Sequence, residues 1–203
     1  MTRRDLLERV ERFQPPLRVE DGYSQGELGQ LLNVNEGSDK YTDVRDRALV
    51  AFYAASGLRF SEVIRLTEGQ VDKYSGRVRT VGKGDRDREV KIGERALKAL
   101  RRYLHVRRAK DGVTALWTTD EGRALSYDSG QKIFKRLKRK VDVRNVHAHR
   151  FRHTWAQTAL KKGAERALVQ DQMGWSSDQM VRRYAGFVRG KLAAELMPQF
   201  API

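Results

Sequence analysis

The chain has 203 residues, 39% of them hydrophobic, and carries 41 lysine and arginine residues against 26 aspartate and glutamate residues, a formal net charge of +15. The sequence contains no cysteine, which excludes disulfides, thiolate zinc sites, iron–sulfur clusters and a cysteine nucleophile. Because no apolar run approaches the roughly 20 residues of a membrane-spanning helix, and the chain opens without a signal-peptide pattern, we expect one cytoplasmic domain with a polyanionic partner.

The positive charge is unevenly distributed along the chain. Residues 1–48 contain 8 basic and 10 acidic side chains, whereas residues 49–203 contain 33 and 16. The densest basic stretch runs from Lys132 to Arg152, with nine lysines and arginines and Asp142 as its one acidic residue. Such a run is equally typical of a solvated helix face, but an excess that continues through most of the chain favours a phosphate-binding surface.

Helix-capping patterns open the chain. The segment that begins at Thr2 predicts a helix that ends near Pro15, and Ser24 with Glu27 predicts a capping box before a short helix through Leu32. The pattern of a helix N-terminus is therefore present twice before residue 40.

A strongly apolar stretch follows, starting at Asp43 and stopping at Ser56. It is apolar on nearly all sides, which predicts the central buried helix of the domain. Its end is well marked because Gly57 can adopt the left-handed conformation of a helix C-terminus.

Alternating patterns replace helical ones between residues 70 and 92. Turns at Ser75-Gly76 and Gly82–Asp85 separate three short extended runs, which predict a small antiparallel sheet with strands at 71–74, 77–81 and 88–92. Helical patterns then resume at about 94–109, 126–140, 149–162, 165–173, 177–184 and 190–197, with an isolated extended piece at 116–118. The predicted fold is a mainly helical α+β domain with a three-stranded antiparallel sheet.

Cutting a phosphodiester without a metal needs fixed cationic donors for the non-bridging oxygens, a nucleophile and a proton donor. Arginine suits the first task because its planar fork stays charged and donates two parallel hydrogen bonds. His149, Arg152 and His153 share a helical face, and either a packing role or a zinc site could explain the histidines. A zinc site would need further ligands, and none is obvious nearby.

Five spaced segments carry a family resemblance. The first segment, Ala55–Val63, contains Gly-Leu-Arg, and the second, Gly82-Lys83-Gly84, forms the turn between two predicted strands. The third, His149–Thr154, has the form His-x-x-Arg-His-Thr, and it is followed by Met173-Gly174-Trp175. The last is Tyr184, nine residues after Trp175. In this order and spacing the chain resembles the tyrosine recombinases, the family of phage integrases, Xer proteins and Cre. The resemblance spans about residues 24 to 190 and implies their catalytic-domain fold.

The resemblance implies a role for each matching residue. Arg59 and Arg152 would clamp the phosphate, and Lys83 would act as general acid. His149 would assist proton transfer from the nucleophile and contact the phosphate, Trp175 would donate one hydrogen bond, and Tyr184 would attack the phosphate. Glu62 and His153 would be supporting residues. Taken alone, Arg59 would be typical of a solvated cap, Lys83 of a solubilising turn lysine, Glu62 of a surface ion pair and Tyr184 of a partly buried helix tyrosine.

The chemistry implied is attack by Tyr184 on a DNA phosphate, giving a 3′-phosphotyrosyl link and a free 5′-hydroxyl. Rejoining needs no ATP, metal or other cofactor because the ester retains the bond energy. A phenol is protonated at neutral pH, and we expect Arg59, Arg152 and the phosphate-bound cleft to favour its phenolate during attack. Double-stranded DNA is the expected partner, bound by Arg86, Arg88, Lys132, Lys135, Arg136, Lys138, Arg139 and Arg150.

The domain plan departs from the family in one respect. Residues 1–22 are expected to be an extension and residues 23–203 the catalytic domain, without the N-terminal domain that clamps the other side of DNA in relatives, so a separate DNA-binding partner could replace it. The apolar tail, with Leu192, Ala193, Leu196, Met197 and Phe200, either mediates self-association or folds back. Alternatives to a recombinase are a type IB topoisomerase-like nicking and resealing enzyme and a non-catalytic DNA-binding protein.

Overall fold

The computed structural model describes residues 19–81 and 87–201. The predicted helix between Thr2 and Pro15 lies outside these residues, as do Lys83 and Arg86. The helices are α1 (Gln25–Asn33), α2 (Tyr41–Ser56), α3 (Phe60–Ile64), α4 (Glu94–Val106), α5 (Tyr127–Leu137), α6 (Ala148–Lys161), α7 (Arg166–Met173) and α8 (Asp178–Leu196), with 3-10 turns at Glu68–Gln70 and Met197–Phe200.

The capping box predicted before α1 is confirmed. The Ser24 hydroxyl accepts a hydrogen bond from the Glu27 amide at 3.2 Å, and the Glu27 carboxylate accepts one from the Ser24 amide at 2.8 Å. Two backbone N–H groups that the helix itself leaves without partners are thereby satisfied.

The central buried helix is confirmed as α2. Eleven of its 16 residues are buried, and it packs mainly against α4 and α6. The helix ends at Gly57, whose φ of 64° is left-handed and whose amide donates back to the carbonyl of Tyr53. A side chain there would also collide with Met173 and Trp155, so both the turn and the close packing require glycine.

The prediction of a three-stranded sheet is wrong for the described residues, which form two antiparallel strands, β1 (Arg77–Val81) and β2 (Asp87–Lys91). Only Val71 of the first predicted strand pairs, through an isolated bridge to Val78. The physical reason is Asp72, whose carboxylate accepts hydrogen bonds from the amides of Tyr74 and Ser75 and from the Ser75 hydroxyl. These bonds close a turn where a strand would have to continue.

The C-terminal half also differs from the expectation at one point. The two helices predicted at 177–184 and 190–197 are one 19-residue helix, α8. The glycines at positions 186 and 190 remain within it, and the first proline after residue 178 is Pro198, in the 3-10 turn that follows. The isolated extended piece at 116–118 is confirmed, since Thr118 forms a lone bridge with Ala124.

Buried apolar side chains form two clusters that meet at α6. The larger surrounds α2 and includes Phe151 of α6, and the smaller contains Ala156 of α6 with Val169, Met173, Val181 and Tyr184. The helix α6 therefore fixes the small α7–α8 cluster to the main core, and its N-terminal turns lie where the two clusters join. In the part of the chain that is described, no helix is both long enough and apolar enough to cross a membrane.

Candidate active site

Arg59 lies where α2 turns into α3. Gly57 ends α2, and Arg59 then takes the N-cap position of α3 with an extended backbone. Its guanidinium donates to the Glu62 carboxylate at 2.9 Å and to the carbonyl oxygen of Gly174 at 2.9 Å. Because α3 begins directly after α2 ends, Arg59 points toward the connection between α7 and α8. Its side chain remains 37% exposed.

Arg152 reaches the same place from α6. It is only 3% exposed, and its guanidinium donates to the carbonyl oxygens of Gly57, at 2.9 Å, and Met173. Burial, reinforced by the positive charge of Arg59, lowers the pKa of Arg152 to about 10, so the group stays charged at neutral pH. The two arginines therefore present fixed cations at one point, held by the adjacent carbonyls of residues 173 and 174.

A shared carboxylate supports this pair. Glu62 accepts from Arg59 on one oxygen and from Arg88 of β2 on the other, at 2.8 Å. Burial favours the neutral acid, but the Arg59 amide and the charge of Arg88 outweigh it and hold the pKa of Glu62 below its ordinary value. Glu62 therefore lies where a supporting residue was expected, and Arg88, expected on the DNA-binding surface, is instead largely buried beside the arginine clamp.

Tyr184 is placed on α8 with its ring in the small cluster. The residue is 2% exposed, its hydroxyl is hydrogen-bonded to Nδ1 of His153, and its ring centroid lies 5.1 Å from that of Trp175. Burial raises the pKa of Tyr184 to about 12, although the charge of Arg152 acts in the opposite direction. The charge of Arg152 therefore does favour the phenolate, but desolvation of the ring outweighs this attraction.

Two histidines of α6 line the cleft at different depths. His149 is exposed, whereas His153, one turn later, is 8% exposed, and their rings meet edge to face at 4.5 Å. Desolvation by the surrounding protein atoms, partial at His149 and deeper at His153, lowers the pKa of both imidazoles, with a further contribution from Arg152 at His149 and from His149 at His153, whose pKa falls to about 4. Both rings are therefore neutral at pH 7.

A carboxylate that the sequence analysis missed lies near His153 and His147. Glu20, in the segment before α1, lies 3.4 Å from Nε2 of His147 and 4.0 Å from Nε2 of His153. No pattern in the sequence indicates this contact, because Glu20 precedes the region of family resemblance and is separated from the histidines by more than 120 residues. Only the folded arrangement of the segment on α6 reveals it.

The structure thus brings together seven of the predicted site residues in one cleft: Arg59, Glu62, His149, Arg152, His153, Trp175 and Tyr184. Among residues 19–81 and 87–201, no group of three or more histidine, aspartate or glutamate side chains is placed so that it could hold a metal ion. The arrangement is suited instead to binding one phosphate group beside a phenol.

Some of the residues predicted to bind DNA are exposed along α5, and others are engaged in contacts within the protein. Four are exposed on or just after α5, opposite its buried apolar face: Lys132, Lys135, Lys138 and Arg139. Arg136 pairs with buried Asp46. The guanidinium of Arg150, also predicted to bind DNA, makes contacts within the protein: it forms a fork with the Glu27 carboxylate, donates to three carbonyl oxygens and covers the ring of Tyr23.

Comparison with known sequences finds a matching protein family and similar proteins. Residues 24–187 match the model of the phage integrase family. Tyrosine recombinase XerC of Haemophilus ducreyi is 36% identical over 152 residues, which cover 74% of this chain and 49% of that protein. Tyrosine recombinase XerC of Lactobacillus leichmannii is 30% identical over 190 residues, covering 90% of this chain and 64% of that protein. The matched region thus spans between about half and two thirds of these relatives.

Solved structures share the fold. XerA recombinase superposes with a TM-score of 0.75 at 23% identity, covering 94% of this chain and 70% of that one. XerH site-specific recombinase bound to its difH substrate before cleavage superposes with a TM-score of 0.72 at 23% identity, covering 89% of this chain and 55% of that one.

Proposed function

This chain belongs to the phage integrase family of tyrosine recombinases, and we propose that it is a site-specific DNA recombinase or integrase, or the catalytic part of one, that cuts and rejoins double-stranded DNA through Tyr184. The observation that carries the proposal is the convergence of Arg59 and Arg152 on the adjacent carbonyls of residues 174 and 173, beside the Tyr184 ring. Two fixed guanidiniums next to a phenol are what a metal-free phosphoryl transfer requires.

The proposed reaction proceeds in two transfers. The Tyr184 oxygen attacks the phosphorus, the bond to the 5′ oxygen breaks, and a 3′-phosphotyrosyl link remains. Arg59 and Arg152 stabilise the negative charge that the transition state spreads over the non-bridging oxygens, and the Trp175 indole N–H donates a further hydrogen bond. Lys83 is the proposed acid for the leaving 5′ oxygen. Attack by a 5′-hydroxyl on the phosphotyrosyl link reverses the step, so strand exchange needs neither ATP nor a metal.

The proposed DNA surface is the exposed side of α5. The buried side of this helix carries Ile133, Phe134 and Leu137, which leaves Lys132 and Lys135 facing solvent. Lys138 and Arg139 continue the positive charge beyond the helix end. Side chains of this kind neutralise phosphates and release counterions, so binding should weaken steeply as salt rises. XerH, whose fold this chain shares, is described bound to its difH substrate.

Self-association is proposed for the end of α8 and the turn after it. Leu196, Met197 and Phe200 are 48%, 56% and 71% exposed, an apolar surface that the chain does not cover within its described residues. Sedimentation of the protein on a two-site DNA should show multimers for the wild type and fewer for Phe200→Ser. Equal assembly by both would remove the tail from this role.

The proposed function is tested by trapping the covalent intermediate. Wild-type protein mixed with a nicked suicide substrate should form a protein–DNA adduct, also in excess EDTA, and Tyr184→Phe should form none while binding DNA nearly as well. Tyr74→Phe is the matched control, since this tyrosine is 80% exposed on a distant turn. Adduct formation by Tyr184→Phe would remove Tyr184 as nucleophile, and relaxation of supercoils without recombinant product would favour the topoisomerase-like activity.

A further inference from the structure

The contact between Tyr184 and His153 has a defined direction. The tyrosine hydroxyl meets Nδ1 of the imidazole, and the two rings lie nearly parallel, 22° apart, with centroids 5.4 Å from each other. The second ring nitrogen, Nε2, faces the Glu20 carboxylate at 4.0 Å. A phenol, an imidazole and a carboxylate are therefore arranged in sequence, with the imidazole between two oxygen groups.

The position of Glu20 is fixed by α6. Gln157 donates from its side chain to the Glu20 carbonyl at 2.7 Å and accepts from the Gly22 amide at 3.0 Å, and the Tyr23 amide donates to the Thr154 hydroxyl at 2.7 Å. A side chain at position 22 would approach the backbone of Thr154 to 2.8 Å, so glycine is needed for this close contact. The segment that carries Glu20 is thus attached along the same helix that carries His153.

This arrangement specifies where the protons are. At 4.0 Å the Glu20 carboxylate forms no direct hydrogen bond with His153, but its negative charge favours the tautomer that has the hydrogen on the nearer nitrogen, Nε2. The lone pair then lies on Nδ1 and accepts the hydrogen of the Tyr184 hydroxyl. His149 makes no hydrogen bond to Tyr184 in the described structure and lies in the open part of the cleft, next to Arg152.

We propose that His153 is the general base that takes the proton of Tyr184, and that Glu20 is a positioning residue that orients His153 and stabilises its protonated form; this proposal rests on the proposed function. As the bond between the Tyr184 oxygen and phosphorus forms, the phenol proton moves to Nδ1 of His153. The bond from phosphorus to the 5′ oxygen breaks, and that oxygen takes its proton from the separate acid. His149 then serves the phosphate, and the reverse step returns the proton from Nδ1 to the tyrosine.

Kinetics separate this role from a structural one. In His153→Asn the amide oxygen can still accept the tyrosine hydrogen but cannot take up a proton. We expect adduct formation to slow by roughly 10²–10⁴-fold, the contribution of one positioned base. A fluorinated tyrosine at position 184, whose phenol is more acidic, should recover much of this loss, because a more acidic nucleophile needs less help. His149→Asn is the matched control and should not be recovered.

Two kinetic results would overturn the proposal. If His153→Asn forms adduct as fast as the wild type or faster, the contact only restrains the tyrosine. If the fluorinated tyrosine recovers His149→Asn rather than His153→Asn, the base is His149. Absence of adduct from the wild type on every DNA tested would refute the proposed function itself. A second measurement, by NMR, does not depend on adduct formation and so tests the role of His153 separately.

That measurement is the tautomer of His153 in the DNA-free protein, read by NMR on nitrogen-15-labelled histidine. We expect hydrogen on Nε2, an acceptor signal at Nδ1 that changes in Tyr184→Phe, and a smaller preference for this tautomer in Glu20→Gln. Loss of one opposite charge at this distance weakens the base by about one pKa unit, so Glu20→Gln should also slow adduct formation, by up to about tenfold. Asp21→Asn, on the same segment but paired with Lys191, is the control. Hydrogen on Nδ1 in the wild type would overturn the proposal.

Discussion

A neutral imidazole buried at position 153 predicts that the protein loses stability in mild acid. Burial, and then the charge of His149, lowers the pKa of His153 from 6.5 to about 4. In the unfolded chain this imidazole takes up a proton near pH 6.5, whereas in the folded protein it stays neutral until about pH 4. Between these values the unfolded state binds more protons, so the free energy of unfolding falls as the pH is lowered through this window.

The size of the effect follows from the shift. Each unit of pKa corresponds to 1.36 kcal/mol, so the full change from 6.5 to about 4 amounts to about 3 kcal/mol. At about pH 4.5 most of it, about 2.5 kcal/mol, should already be lost. Little discount for solvent applies, because the side chain is only 10% exposed. For a domain of this size such a loss is a substantial part of the total stability.

Urea unfolding of the wild type and of His153→Asn, at about pH 7 and about pH 4.5, measures this contribution. The wild type should lose about 2.5 kcal/mol more than the variant between the two conditions. His147→Asn is the control, since that ring is 42% exposed and should leave the difference nearly unchanged. Equal losses in the wild type and in His153→Asn would show that His153 is not buried in its neutral form, which would refute the reasoning.

Three further outcomes are expected. Asp46→Ala leaves the buried guanidinium of Arg45 without its carboxylate and should lower the free energy of unfolding by about 3–5 kcal/mol in urea titrations. A loss below about 1 kcal/mol would contradict the buried pairing. Gly57→Ala forces a left-handed alanine whose Cβ would lie 2.9 Å from Cγ of Trp155, so calorimetry should show a lower Tm, and an unchanged Tm would contradict this packing. Lys83→Ala should slow cleavage of normal DNA by roughly 10²–10⁴-fold and approach the wild-type rate when the bridging 5′ oxygen is sulfur; if sulfur does not restore the rate, the acid lies elsewhere.

The features that could be predicted from the sequence are those fixed over short distances along the chain. The capping box of Ser24 and Glu27 spans four residues, and the stop of α2 depends on one glycine, so each is recognisable in the local pattern. The spacing of Arg59 and Arg152 relative to Tyr184 identifies the site because it matches a family, and the structure then shows the two arginines at neighbouring carbonyls.

The features that could not be predicted depend on contacts between distant segments or on burial. Arg150 is basic and lies in the densest basic stretch, yet Glu27, 123 residues away, occupies its guanidinium. The direction of the Tyr184 pKa shift depends on how deeply the ring is buried, which the residue pattern does not state. The third strand fails for a local reason that alternation conceals, since the Asp72 side chain competes for the backbone amides of its own segment.

The clamp formed by Arg59 and Arg152 is held largely by main-chain oxygens. Residues 57, 173 and 174 each supply a carbonyl, and a carbonyl is present whatever amino acid occupies the position. The orientation of the two guanidiniums is consequently a property of the path of the backbone, and the side chains at these positions affect it only by shifting that path. A designer who wished to move this clamp into another scaffold would therefore have to reproduce the course of two chain reversals, after α2 and after α7, and could not do so by copying the neighbouring side chains alone.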